Sequence, residues 1–303
     1  MIRTKGLALT AVLLAAAGAP SATAQGAPLA ALDSLRALGL DSIPGAATVF
    51  FRPSERDRAA QLRLELEGGL SYFRRTLGLA RPLRLAVLQP GDWSRLSPLP
   101  YGFPNNIGPP ANLILAPARR PHPDPGLEDA QSDLLLLFHE GGHLLTFELV
   151  GPETDSAYHA RLDSIPEWYW EFAASAFLTS YLRAQRPADA TALVRYFQRL
   201  ASGPAPQFVH LDAWFQAMMG HSTADGTPYL RTAEGRRNFG WYQGVVGLLG
   251  TYVPASREPA LFRQIRLVGH GAHTPTTREL VEQLDTLAPG LIRRLEGAGA
   301  GWR

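Results

Sequence analysis

Between residues 131 and 150, two apolar runs, Leu134-Leu135-Leu136-Leu137-Phe138 and Leu144-Leu145-Thr146-Phe147, enclose the polar pentad His139-Glu140-Gly141-Gly142-His143. A segment this long and apolar nearly all round is predicted to be a helix covered by other elements, not one lying on the surface. A helix stacks His139 and His143, at i and i+4, on a single face. Two imidazoles and a carboxylate in a buried helix are costly without partners, and a divalent cation supplies them. The competing expectation is a core helix whose histidines bond to backbone carbonyls. Gly141 and Gly142 oppose the helix by about 1 kcal/mol each relative to Ala, so the close approach of another backbone is expected there.

The spacing is the H-E-x-x-H arrangement of zinc-dependent hydrolysis, with His139 and His143 as metal ligands and Glu140 placed to handle a proton. A catalytic zinc site takes three protein ligands and keeps one open position, so a third ligand is required. His159, Glu167, Glu171, His210, His221, His270 and His273 lie downstream. Ser164-x-x-Glu167 with Pro166 in the first turn fits a capping box, which gives Glu167 a local role. Glu171 lies one turn deeper among Trp168, Tyr169, Trp170 and Phe172, where a carboxylate is expensive to bury unless it meets a cation. Glu171 is therefore the expected third ligand, with Glu167 as the alternative.

Arg3 and Lys5, the apolar stretch from Gly6 to Ala17 and the small-x-small pattern Ala22-Thr23-Ala24 read as a secretory leader over residues 1–24. Export to the periplasm or the medium is the expectation, with no stable membrane insertion once the leader is removed. The chain has no cysteine, so neither disulfides nor thiolate metal sites nor cysteine nucleophiles enter. Its 27 acidic residues face 29 basic ones, of which Arg3 and Lys5 belong to the leader, leaving a balanced charge. Such a balance provides no footprint for nucleic acid or an anionic membrane.

Along the chain, a short helix is predicted near 29–38, strands at 47–51, 83–88 and 112–116, and a helix opened by Ser54-x-x-Asp57 carrying Leu62, Leu66, Leu70, Phe73 and Leu77. Residues 97–110 read as a Pro- and Gly-rich loop. From Gly126 onward helices are predicted near 127–150, 165–184, 188–201, 208–219, 238–253, 258–267 and 276–296. The fold class is α+β: a small N-terminal α/β lobe (25–125) with a short mixed sheet, then a mainly helical lobe (126–303) that begins with the metal-binding helix. The strand at 112–116 is expected to offer an exposed edge to an extended peptide. A groove between the two lobes is the expected place for substrate.

Pro166-x-Trp168-x-x-Glu171-x-x-Ala174, together with the H-E-x-x-H pentad, resembles the signature of gluzincin metallopeptidases, the group that contains thermolysin and the aminopeptidase N relatives. The resemblance implies a zincin-like fold, a zinc cofactor held by His139, His143 and Glu171, Glu140 as general base, and a peptide or protein substrate. The chain departs from that pattern in three places. The interval from His143 to Glu171 is longer, Phe172 replaces a glycine, and Ser175 stands where thermolysin-like enzymes carry an Asp that orients a zinc histidine. His143 is then oriented by Ser175 or by a backbone carbonyl.

Related peptidases also carry a tyrosine that stabilises the oxyanion, and Tyr242, in Asn238-Phe239-Gly240-Trp241-Tyr242-Gln243-Gly244, is similar in setting. The alternative for Tyr242 is a buried tyrosine bonded to a carbonyl, with His270 and His273 as rival donors. Two other functional classes fit the same residues. One is an inactive binding protein on the zincin scaffold; the other is a zinc hydrolase of a non-peptide amide or ester.

Overall fold

The computed structural model describes residues 27–121, 124, 126–151, 165–203, 206–213, 222–223, 227–271 and 273–303. The leader expected at 1–24 lies outside them, as do Ser164, His159 and His221. Among the described residues no helix is long and apolar enough to cross a membrane.

The chain divides into two compact units. The first runs to Glu148, and the second takes in Leu149–Gly151 and the chain from Ala160 onward. Nearly all of the H-E-x-x-H helix therefore belongs with the sheet, whereas the sequence placed it at the head of the helical lobe.

In the first unit the elements are α1 (Ala27–Ala37), β1 (Asp41–Ile43), β2 (Ala47–Phe51), α2 (Arg56–Leu77), β3 (Leu83–Leu88), α3 (Pro90–Leu96), β4 (Asn105–Ile107), β5 (Leu113–Pro117) and α4 (Asp129–Val150). The strands form one sheet in the order β1-β2-β3-β5-β4. The three central strands are parallel and the short outer ones antiparallel to their neighbours. β2 and β3 fall where apolar and β-branched runs between turn residues predict them. The expected Ser54 cap does not form: a 3-10 turn at Pro53–Glu55 leads into α2, whose first residue has no side-chain cap.

Strand alternation sorts the core. Ala86, Leu88, Leu113 and Leu115 pack with Leu35 of α1 and Trp93 of α3. The opposite face carries Leu85, Val87 and Ile114, all fully buried. The sheet corrects one expectation. β5 lies between β3 and β4, so it has no free edge; the outer edge belongs to β4, in the segment expected to be irregular.

The second unit is helical among its described residues: α5 (Glu167–Gln185), α6 (Pro187–Ala201), α7 (Ala233–Tyr252), α8 (Glu258–His270), α9 (Thr277–Leu287) and α10 (Leu291–Gly297). α5, α6 and α7 pack on one another. Of the helix expected at 208–219, Leu211–Ala213 form a 3-10 turn, and 214–219 lie outside the described residues. The helix expected at 276–296 is two, broken at Ala288-Pro289-Gly290, where Gly290 takes a left-handed φ of 88°. α5 begins on Pro166 with no side-chain cap.

Candidate metal centre

α4 has the all-round burial its composition predicts: Leu134, Leu136, Leu137, Phe138, Leu144, Leu145 and Val150 are all buried. That apolar jacket carries His139 and Glu140 into the interior, 6% and 4% exposed, with His143 half-buried. The two imidazole rings stand one turn apart with centroids 4.9 Å from each other and planes at 88°. A nitrogen of each histidine and a carboxylate oxygen of Glu140 all lie within 4.8 Å of one another, close enough to share one ion. This donor set of imidazoles and carboxylate fits zinc, and it admits manganese or cobalt as well.

The close backbone expected at the pentad is not met at Gly141. A Cβ on Gly141 would meet the methyls of Ile114 and Leu83 at 3.5 and 3.6 Å, ordinary contact with side chains and not a close backbone. The tight approach occurs one turn earlier, where the Phe138 ring lies over Gly69 of α2 and a Cβ there would sit 2.0 Å from it.

Charged side chains hold α4 near both ends. Near its start, Asp133 accepts both terminal nitrogens of Arg58 at 2.9 and 3.0 Å and one from Arg120 at 3.0 Å. Near its end, the Glu148 carboxylate accepts the backbone N–H groups of Ala80 and Arg81 at 2.6 and 2.9 Å. These contacts link the helix to α2 and to the segments flanking β3 and β5, which fixes the depth of the pentad.

One site residue was missed in the sequence. Asn106, 3% exposed on β4, donates from Nδ2 to Oε2 of Glu140 at 2.7 Å. It pairs with Ile114 in the β4–β5 register, and a residue opposite Ile114 faces the side of the sheet that α4 covers. Asn105, its neighbour, faces the other way and donates to Ser97 Oγ at 2.7 Å. The only signal in the sequence was two adjacent asparagines, residues disfavoured in strands, between Pro104 and Gly108.

The other expected site residues belong to the second unit. Glu171 is buried on α5, and Gln243 of α7 donates to its Oε2 at 3.2 Å. The stretch singled out around Tyr242 thus reaches Glu171 through the next residue. The Tyr242 hydroxyl itself is buried and donates to the backbone carbonyl of His210. Burial, and then the nearby Asp212 carboxylate, push its ionisation up. This is the structural arrangement weighed as the alternative for Tyr242; its one proton is used on that carbonyl, not offered to an oxyanion.

His210 accepts from the Asp212 N–H at Nδ1 and donates from Nε2 to the Arg303 carbonyl. His273 pairs with Glu279 at 3.1 Å, beside the capping box of α9, and His270 closes α8. Glu167 opens α5, and Ser175 is buried on the same helix.

Comparison of the chain with protein-family models, with curated protein sequences and with solved structures finds no significant match.

Proposed function

We propose that this chain is an exported zinc-dependent peptidase of gluzincin type. One observation carries the reading: a buried and a half-buried imidazole and a buried carboxylate on one helix have their donor atoms within 4.8 Å of one another. In this reading His139 and His143 hold the ion and Glu171 supplies the third protein ligand. Bound there, zinc supplies Lewis acidity, lowering the pKa of water towards about 7.

The chain's own groups do the rest. Glu140, held at Oε2 by Asn106, has Oε1 to accept a proton from the attacking water and return it to the leaving amine. An extended peptide adds to the outer edge of β4, with which no strand pairs among the described residues. Tyr242 takes no part.

Elemental analysis of the mature protein, combined with melting in the presence and absence of a chelator and with peptide hydrolysis, tests the reading. One zinc per chain with metal-dependent hydrolysis supports it. Metal-dependent melting without turnover over a broad peptide library favours a binding protein instead.

A further inference from the structure

The geometry points to Asn106 as the residue that keeps Glu140 a base and prevents it from becoming a metal ligand. This inference rests on the metal reading above and concerns how the chain divides labour between its two kinds of acidic contact.

The difficulty it answers is visible in the distances. Glu140 offers a carboxylate oxygen within 4.8 Å of the donor nitrogens of both His139 and His143, so these three residues alone make a plausible ligand set. A carboxylate so close to a divalent cation is drawn to it, and a glutamate bound to the ion has lost the freedom to take a proton from water. Something must hold it off. Asn106 does so with a buried 2.7 Å hydrogen bond to Oε2. The orientation of the amide is dictated by charge, because an ionised carboxylate only accepts and the –NH2 end is the only donor asparagine has.

Two further observations show that the contact is maintained against local cost. Asparagine is a poor strand residue, and at this position, opposite Ile114 and facing α4, a β-branched apolar side chain is the ordinary choice. Turning Nδ2 to Glu140 also leaves the Asn106 Oδ1 buried with no hydrogen-bond partner among the described residues. A buried unpaired acceptor is destabilising, so packing alone does not account for this residue.

β4 supplies the rigidity. It is pinned to β5 through Asn105↔Leu115, Asn106↔Ile114 and Ile107↔Leu113, and Asn105 is anchored on the other face by Ser97. Asn106 is thus a positioning residue carried on a fixed strand, and Glu140 is the group it positions.

The test is a set of zinc affinities, read by competition with a chromophoric chelator, for the wild type, Asn106→Ala, the nearly isosteric Asn106→Leu, Glu140→Ala and the double variant Asn106→Ala/Glu140→Ala. Circular dichroism confirms that each is folded. Freed from its tether, Glu140 joins the ligand set. Zinc binding by Asn106→Ala and Asn106→Leu is therefore expected to tighten about tenfold, the equivalent of ~1.4 kcal/mol. kcat on a peptide substrate is expected to fall about 10²-fold, as for loss of a general base.

In the Glu140→Ala background the same substitution is expected to leave zinc affinity unchanged, which isolates the coupling between the two residues. A merely structural asparagine moves the melting temperature and weakens zinc binding equally in both backgrounds, and that result overturns the inference. A wild-type protein that binds zinc but whose affinity is indifferent to Asn106 overturns the inference and leaves the metal reading standing. A wild-type protein that binds no zinc overturns both.

Discussion

The side-chain amide of Gln243 stands 3.2 Å from Oε2 of Glu171, joining α7 to the carboxylate proposed as the third metal ligand. Hydrogen bonds of this kind orient ligands, and their removal typically costs 10–100-fold in metal affinity. Gln243→Ala is expected to weaken zinc binding by about that factor, and Glu171→Ala to abolish most of it. Glu167→Ala is expected to leave binding intact. Isothermal titration of the three variants checks this; a large loss with Glu167→Ala alone moves the ligand to Glu167.

Tyr242 and Tyr169 are both buried phenols, yet their substitutions should behave oppositely. Tyr242→Phe removes one of two hydrogen bonds to the His210 carbonyl, that from the Ala213 N–H remaining, at a cost of about 1 kcal/mol, with kcat unchanged. Tyr169 has a hydroxyl without a partner among the described residues, so Tyr169→Phe is expected to be neutral or stabilising. Denaturant melts give both signs directly.

Their titration follows from the same burial. Desolvation raises both phenols above the ordinary value of 10.0. A group whose folded pKa is raised contributes stability that is fully present below the unfolded pKa and is lost as pH rises above it. Stability should therefore fall with increasing pH above about 10. Absorbance at alkaline pH should show these two tyrosines ionising only together with unfolding; their ionisation in an intact fold contradicts the packing described.

Two glycines separate tolerance from necessity. Gly141→Ala places its methyl in ordinary contact with Ile114 and Leu83 and should gain helix stability of about 1 kcal/mol. Gly69→Ala drives a methyl into the Phe138 ring and should cost about 1–3 kcal/mol through displacement of α2 from α4. Thermal melting distinguishes them; equal losses would mean that α4 sits closer to the sheet than described.

Asp133 serves two arginines while only 6% of its side chain is exposed. Asp133→Ala leaves Arg58 and Arg120 half-buried without that carboxylate, and breaking a buried pair costs about 3–5 kcal/mol. Because the same carboxylate seats the start of α4, zinc affinity should drop with stability. A melting temperature within a degree of wild type would show the network to be ornamental.

What could be read in the sequence follows from the strength of the local signals. α4 was legible because an unbroken apolar jacket around an i, i+4 histidine pair has few other solutions. β2 and β3 were legible from apolar runs between turn residues. β4 was not, since two asparagines and one isoleucine between Pro104 and Gly108 carry no alternation, and only pairing with β5 makes them a strand. Asn106 was hidden for the same reason: its importance comes from standing opposite Ile114, a relation set by register and not by spacing along the chain. The edge of the sheet was misplaced by one strand as a consequence. Tyr242 illustrates another limit, because no sequence pattern says whether a phenol faces a cleft or the carbonyl of a residue 32 positions away.

The most direct test compares the zinc content and peptide turnover of the wild-type protein with those of Glu140→Gln. One zinc per chain in both, with turnover in the variant reduced by at least about 10²–10³-fold, is the predicted result. Turnover unchanged by the substitution, or no bound zinc in the wild type, would contradict the account.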